Sequence, residues 1–209
     1  MRKAIWYFDV VSPYAYLHLH RFAELPADLA IEYKPVLFAG LLNHWGQKGP
    51  AEIPSKRRWT YRSCQYWAES HDVPFRFPAG HPFNPLHFLR LILACDSRPE
   101  AVRRVFEHVW TTGADPADEK GFAALAREVG IEDLASLGAP QVKEALRRNT
   151  EEAAAAGVFG VPTLVMDGEI FWGNDSIEFF KAWLADPGIL ARTEMRRIDA
   201  LPVSAARKS

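Results

Sequence analysis

The sequence predicts an α/β fold with a split sheet: a β-α-β unit first, then roughly 120 residues of helix, then a β-β-α unit. Three observations carry this. Residues 5–8 and 29–36 have strand character and flank a helix start at Ser12-Pro13. Residues 37–157 show helical periodicity from residue 54 onward and no strand pattern. Residues 163–166 and 169–172 are short apolar runs joined by Asp167-Gly168, a tight-turn dipeptide. Neither terminal unit can stand alone, so the two must meet in one sheet.

Residues 5–8 (Ile-Trp-Tyr-Phe) combine aromatic and β-branched character, as a buried strand does. Ser12 fits an N-cap and Pro13 the first helical position, where a missing N–H costs nothing, so a helix is expected over 13–24, closed by Pro26. Residues 29–36 alternate through Leu29, Ile31 and Tyr33, giving the second strand and a right-handed crossover between parallel partners. In the helical stretch, 54–70 is basic and aromatic and 84–95 is apolar. The segment 97–113 is the clearest helix, with Ser97 as N-cap and Val102, Val105, Phe106, Val109 and Trp110 on one face. Helices at 118–129 and 140–156 end at Gly130 and Gly157. After the hairpin, Asn174, Asp175 and Ser176 can start a last helix at 177–185, which Asp186-Pro187-Gly188 breaks. The remaining residues are charged and weakly patterned, and are expected to be ornamental or partly mobile. The expected organisation is a sheet domain from 1–36 and 158–186, a helical insertion at 37–157 and a tail at 187–209.

Composition narrows the partners. The 209 residues carry 25 Lys and Arg against 26 Asp and Glu, a net charge of −1. A neutral chain of this kind is not expected to coat nucleic acid or to hold a membrane by bulk charge. No run of 18 apolar residues suggests a membrane span. The basic, apolar start is broken by Asp9 and lacks a cleavage-type site, so a cytosolic protein is expected. The two cysteines, Cys64 and Cys95, form no Cys-x-x-Cys and no metal-type spacing, and on predicted helices they read as buried, inert thiols. The seven histidines show no ligand spacing and read as surface or packing residues.

The candidate chemistry lies in turns. A strand that ends at 9–11 and opens a helix at Ser12 puts one hydroxyl beside a helix N-terminus, where an anion or thiolate is favoured. Ser12 can equally serve as a plain cap. Val161-Pro162 stands at a strand start, where proline removes no ladder donor. Its peptide bond can be cis or the proline can be an ordinary strand entry. In Trp172-Gly173-Asn174-Asp175, Gly173 permits close backbone approach, and the polar residues start a helix that can also hold a carboxylate and an ammonium group.

Phe8-Asp9-x-x-Ser12-Pro13-Tyr14-x-Tyr16 resembles the active-site turn of the 2-hydroxychromene-2-carboxylate isomerases, which stand with kappa-class glutathione transferases and DsbA-type thioredoxin folds. The likeness spans roughly residues 3–185 and includes Val161-Pro162 and Trp172-Gly173-Asn174-Asp175. It implies a thioredoxin-like fold with a helical insertion, and glutathione as cofactor. Where redox relatives carry Cys-x-x-Cys, this chain reads Ser12-Pro13-Tyr14-Ala15. The resemblance implies Ser12 as the catalytic group. It implies glutathione contacts from Ser12, Val161, Pro162, Trp172, Gly173, Asn174, Asp175 and Ser176, with Pro162 a cis-proline.

The expected activity is reversible addition of a glutathione thiolate to a conjugated aromatic carboxylate, with isomerisation. The other readings are a kappa-like transferase or peroxidase, which acts on another electrophile, and a glutathione-binding module without turnover. A homodimer is expected by the same analogy. Lys56, Arg57, Arg58 and Arg62, interleaved with Trp59, Tyr61, Tyr66 and Trp67, can line a basic aromatic wall or a solvated helix face. Arg57, Phe83 and Asn84 are the substrate-side candidates. The chain departs from the family pattern after Gly49-Pro50, where Ala51-Glu52-Ile53 replaces the usual Asn-Arg pair, and at Leu42, where some members have a lysine.

Overall fold

A computed structural model describes residues 2–205. Strand β1 (Arg2–Phe8) leads to helix α1 (Pro13–His20), whose last turn tightens into a 3-10 segment at Arg21–Glu24, and then to β2 (Leu29–Pro35). Six helices follow: α2 (Phe38–Trp45), α3 (Pro54–Ser70), α4 (Leu86–Ala94), α5 (Pro99–Thr111), α6 (Glu119–Glu128) and α7 (Pro140–Ala155). Strands β3 (Thr163–Met166) and β4 (Glu169–Trp172) form the hairpin, and α8 (Ile177–Ala185) and α9 (Thr193–Asp199) close the chain.

The sheet order is β2-β1-β3-β4. β1 pairs parallel with β2 from Arg2↔Leu29 to Phe8↔Pro35, and antiparallel with β3 through Tyr7↔Thr163 and Ile5↔Val165. The two chain halves therefore share one sheet, as the instability of each alone requires. β1 supplies the logic of both faces by its two-residue period. Ala4, Trp6 and Phe8 point into the larger core, where Trp6 stacks on Phe8 at 4.3 Å and both meet Phe106 of α5. Ile5 and Tyr7 point the other way, into a smaller core with Leu41 of α2, Ala153 of α7, Val158 and Val161. Tertiary packing fixes α5 as its pattern predicts: Val102, Val105, Phe106, Val109 and Trp110 are all buried.

Three sequence expectations need correction. Ser97 is no N-cap: Asp96 and Ser97 both take left-handed backbone, and Ser97 N–H closes the end of α4 on Ile92 O. Arg98 stands in the cap position instead. Helix α2 was not expected, because its 8 residues are too few to show periodicity. The tail is not featureless: after a 3-10 turn at Pro187–Ala191, α9 forms from Thr193. Residues 206–209, part of that tail, lie outside the described residues.

Candidate active site

The turn after β1 is held on every side. Asp9 is fully buried, and its carboxylate accepts N–H groups from Val11 at 3.0 Å and from Phe38, the first residue of α2, at 2.8 Å. One carboxylate thus ties the turn to the helix after β2. The Val10 carbonyl accepts the Trp110 indole N–H at 2.9 Å, and the Val11 carbonyl accepts His81 Nε2 at 2.8 Å. With Nε2 protonated, His81 Nδ1 accepts from the Tyr61 hydroxyl, 2.6 Å away. Burial lowers the His81 pKa, the hydrogen bond to the Val11 carbonyl acts against it, and the positive charge of Arg57 acts with burial. Burial raises the Asp9 pKa to about 7, although the two backbone N–H groups act against it.

Ser12 follows this clamp and is nearly buried, 8% exposed. Its backbone is extended, and its Oγ accepts the Ala15 N–H at 3.3 Å, so it does cap α1. Capping uses the oxygen as an acceptor and leaves the hydroxyl proton to donate outward. Capping and ligand contact are therefore compatible.

The sheet register brings the second turn to the first. Thr163 lies opposite Tyr7, which places Pro162 beside Phe8 at the same end of the sheet as Ser12. The Val161–Pro162 bond is cis. Val161 precedes the ladder, which begins at Thr163. The third turn is tied to the second: Gly173 N–H donates to Pro162 O at 2.9 Å. Gly173 has φ of 96°, and a Cβ there would lie 2.6 Å from Asp175 Oδ1, so glycine is required. Ser176 Oγ donates to Gly173 O, and Asn174 O accepts from Arg21, which fastens the loop to α1. Asn174 Oδ1 is buried without a partner among the described residues, while Asp175 is exposed. Trp172 is half exposed and covers Gly160 and Phe159.

The substrate-side candidates separate. Phe83 packs on His81, with ring centroids 6.1 Å apart, and so joins the wall behind the turn. Arg57 is exposed but close enough to His81 and Tyr61 for its charge to act on both. Asn84 is spent locally, its Oδ1 accepting Leu86 N–H at the start of α4. Sequence reasoning set Asp9 in the motif of the turn and Tyr61 in a possible aromatic wall without giving either a role there, and expected Trp110 only as a core residue of its helix. It missed His81, which carries no local mark. Cys64 and Cys95 are buried, and burial pushes the Cys64 thiol up to about 12. Among the described residues no His, Cys, Asp and Glu cluster suits a metal, and no helix is long and apolar enough to cross a membrane.

Residues 4–185, which span the turn after β1, the intervening helices, cis-Pro162 and the Gly173 loop, match the DSBA-like thioredoxin domain. The chain belongs to that family. A 2-hydroxychromene-2-carboxylate isomerase of Sphingobium xenophagum is 30% identical over 195 residues, 89% of this chain and 100% of that one. A kappa 2 glutathione S-transferase of Caenorhabditis elegans is 26% identical, covering 89% and 93% of the two chains. Among solved structures, a 2-hydroxychromene-2-carboxylate isomerase superposes with a TM-score of 0.75 at 25% identity, covering 96% of this chain and 100% of the other. These relatives of the DSBA-like chain are named as enzymes, and the chain is an enzyme.

Proposed function

We propose that this DSBA-like protein is a glutathione-dependent isomerase of the 2-hydroxychromene-2-carboxylate type, with Ser12 as its catalytic group. The observation that carries the reading is the convergence of Ser12, cis-Pro162 and the Gly173 loop at one end of the sheet, with no thiol of the protein's own in the turn. The reactive sulfur then comes with the ligand. Val161 N–H and C=O pair with the cysteinyl backbone of glutathione as an added strand would. Trp172 and the Gly173 loop, with Asn174, Asp175 and Ser176, receive its γ-glutamyl end. Arg57 and Phe83 face the electrophile, a small aromatic carboxylate. Asn84, committed to α4, stays at the edge of that region.

An unperturbed thiol has a pKa of about 8.5 and is mostly protonated at neutral pH. Lowering it by about two units needs about 2.7 kcal/mol. A hydrogen bond from the Ser12 hydroxyl to the thiolate, together with the α1 dipole, is of that order. The thiolate adds to the conjugated ring of the substrate, the ring opens, a formerly double bond rotates, the ring recloses and the thiolate leaves. Glutathione is regenerated. Ser12→Ala is expected to lower turnover at least tenfold and to leave glutathione affinity within a few fold. Ultraviolet monitoring of a hydroxychromene carboxylate, with calorimetry for glutathione, measures both; an unchanged rate refutes the role.

The similarity to kappa glutathione transferases favours a second reading, in which the sulfur adduct is released as product. Loss of the Asn-Arg pair after Gly49-Pro50 supports a changed electrophile. Free glutathione falls with turnover in that case and stays constant in an isomerase. A cytosolic homodimer completes the proposal, with equilibrium sedimentation as its check.

A further inference from the structure

Away from Ser12, helices α2, α4 and α7 border an open cleft of about 550 Å³. None of Ser12, Val161, Pro162 and residues 172–176 lines it. Helix spacing builds its walls: Leu86 and Arg90 stand one turn apart on α4, and Lys143, Leu146, Thr150 and Ala154 form one stripe of α7. Its floor is apolar, from Leu37, Leu86 and Leu146. Gly40 narrows one end, since a Cβ there would lie 3.0 Å from the Thr150 methyl.

The charges in this cleft do not cancel. Arg147 is engaged by Glu144 and Glu151. Arg90 and Lys143 enter no ion pair among the described residues, and Arg90 Nε is buried with no hydrogen-bond partner. A guanidinium nitrogen withdrawn from water without an acceptor is costly, and the terminal nitrogens of Arg90, which no described residue engages, are the donors left for an anion in the cleft. His44 adds a further donor at the rim. With Arg147 and its two acids carrying one net negative charge and Arg90 and Lys143 two positive ones, the surplus is one positive charge. The volume is that of a pocket for a small organic molecule.

We infer that this cleft is a second ligand site, for a monocarboxylate with an apolar body, its carboxylate between Arg90 and Lys143 and its body on Leu37, Leu86 and Leu146. The site does not depend on what happens at Ser12. Titration calorimetry with 2-naphthoate and with decanoate tests it and decides between an aromatic and an aliphatic body. At least one probe is expected to bind, and to bind equally well when S-methylglutathione is saturating. Arg90→Met and Lys143→Glu should each weaken it at least tenfold, and 2-naphthalenemethanol, which lacks the charge, should bind far more weakly than 2-naphthoate. Lys143 is exposed, so its replacement keeps the test valid should Arg90→Met fold poorly. Failure of both probes to bind, affinity unchanged in Lys143→Glu, or displacement by S-methylglutathione would each overturn the assignment.

Discussion

A single hydroxyl opens α1 in a turn whose carbonyls and N–H groups are almost all committed. Asp9 takes the Val11 N–H, Trp110 and His81 hold the next two carbonyls, and Ser12 N–H goes back to Asp9 O. The turn cannot rearrange without breaking several buried hydrogen bonds, each worth about 1 kcal/mol net and more when one partner is left unpaired. A group placed at Ser12 is therefore held in a fixed direction, which is what orientation in catalysis demands. The proposed glutathione site gives this a direct check. In Ser12→Cys, the new thiol lies at a helix N-terminus, which favours its thiolate. Mixed with glutathione disulfide, that thiolate attacks one sulfur, forms a mixed disulfide and releases one glutathione. Intact-mass measurement is expected to find one glutathione bound per chain, and the parent protein, with Cys64 and Cys95 buried, is expected to take up none. Equal labelling of parent and variant would contradict the placement of the sulfur.

Elements differ in how plainly their causes are written in the sequence. The hairpin is legible because its turn is a local matter: Asp167 and Gly168 both take left-handed backbone, φ of 52° and 84°, as a type I′ turn needs. No atom would crowd a Cβ on Gly168, so its replacement isolates the backbone cost. Gly168→Ala is expected to destabilise the fold by about 1 kcal/mol, read from the denaturant midpoint at unchanged m-value. A change below a few tenths would show that the turn tolerates the residue.

Helices α5 and α8 are legible because a full apolar stripe meets the core. Helix α2 is not, since an 8-residue helix has barely two turns of pattern and its start is fixed from afar, by Asp9 on the Phe38 N–H and by Thr150 on the Leu37 N–H. The same distinction holds in the candidate site. Ser12, the Pro162 turn and the Gly173 loop carry local signals. Their clamp does not, because Trp110 and His81 reach the turn over 100 and 70 residues of chain.

Over the whole molecule, two buried ionisable groups set opposing responses to pH. His18 is fully buried, its Nδ1 accepts the Trp6 indole N–H at 3.0 Å, and burial lowers its pKa from 6.5 to about 3. The unfolded chain binds that proton below 6.5 and the folded chain does not, so His18 withdraws stability as pH falls from 6.5 toward 3. Asp9 has the opposite sign. Its pKa rises from 3.8 to about 7, so between these values the folded chain holds a proton that the unfolded chain has released. Asp9 adds stability as pH falls from 7 to about 4 and withdraws it as pH rises. Each effect is on the order of 4 kcal/mol across its window. Between pH 6.5 and 4 they nearly cancel. The melting temperature of the parent is therefore expected to receive little net contribution from this pair in that interval, and to lose support from His18 below it.

Single substitutions separate the two. Gln at position 18 can keep an acceptor for Trp6 without titrating, so in His18→Gln the melting temperature, relative to the parent, rises as pH is lowered from 6.5 to 4. In Asp9→Asn the relative melting temperature falls over the same interval. Differential scanning calorimetry at half-unit pH steps reads both. Parallel profiles for the parent and both variants would mean that neither group changes protonation on unfolding.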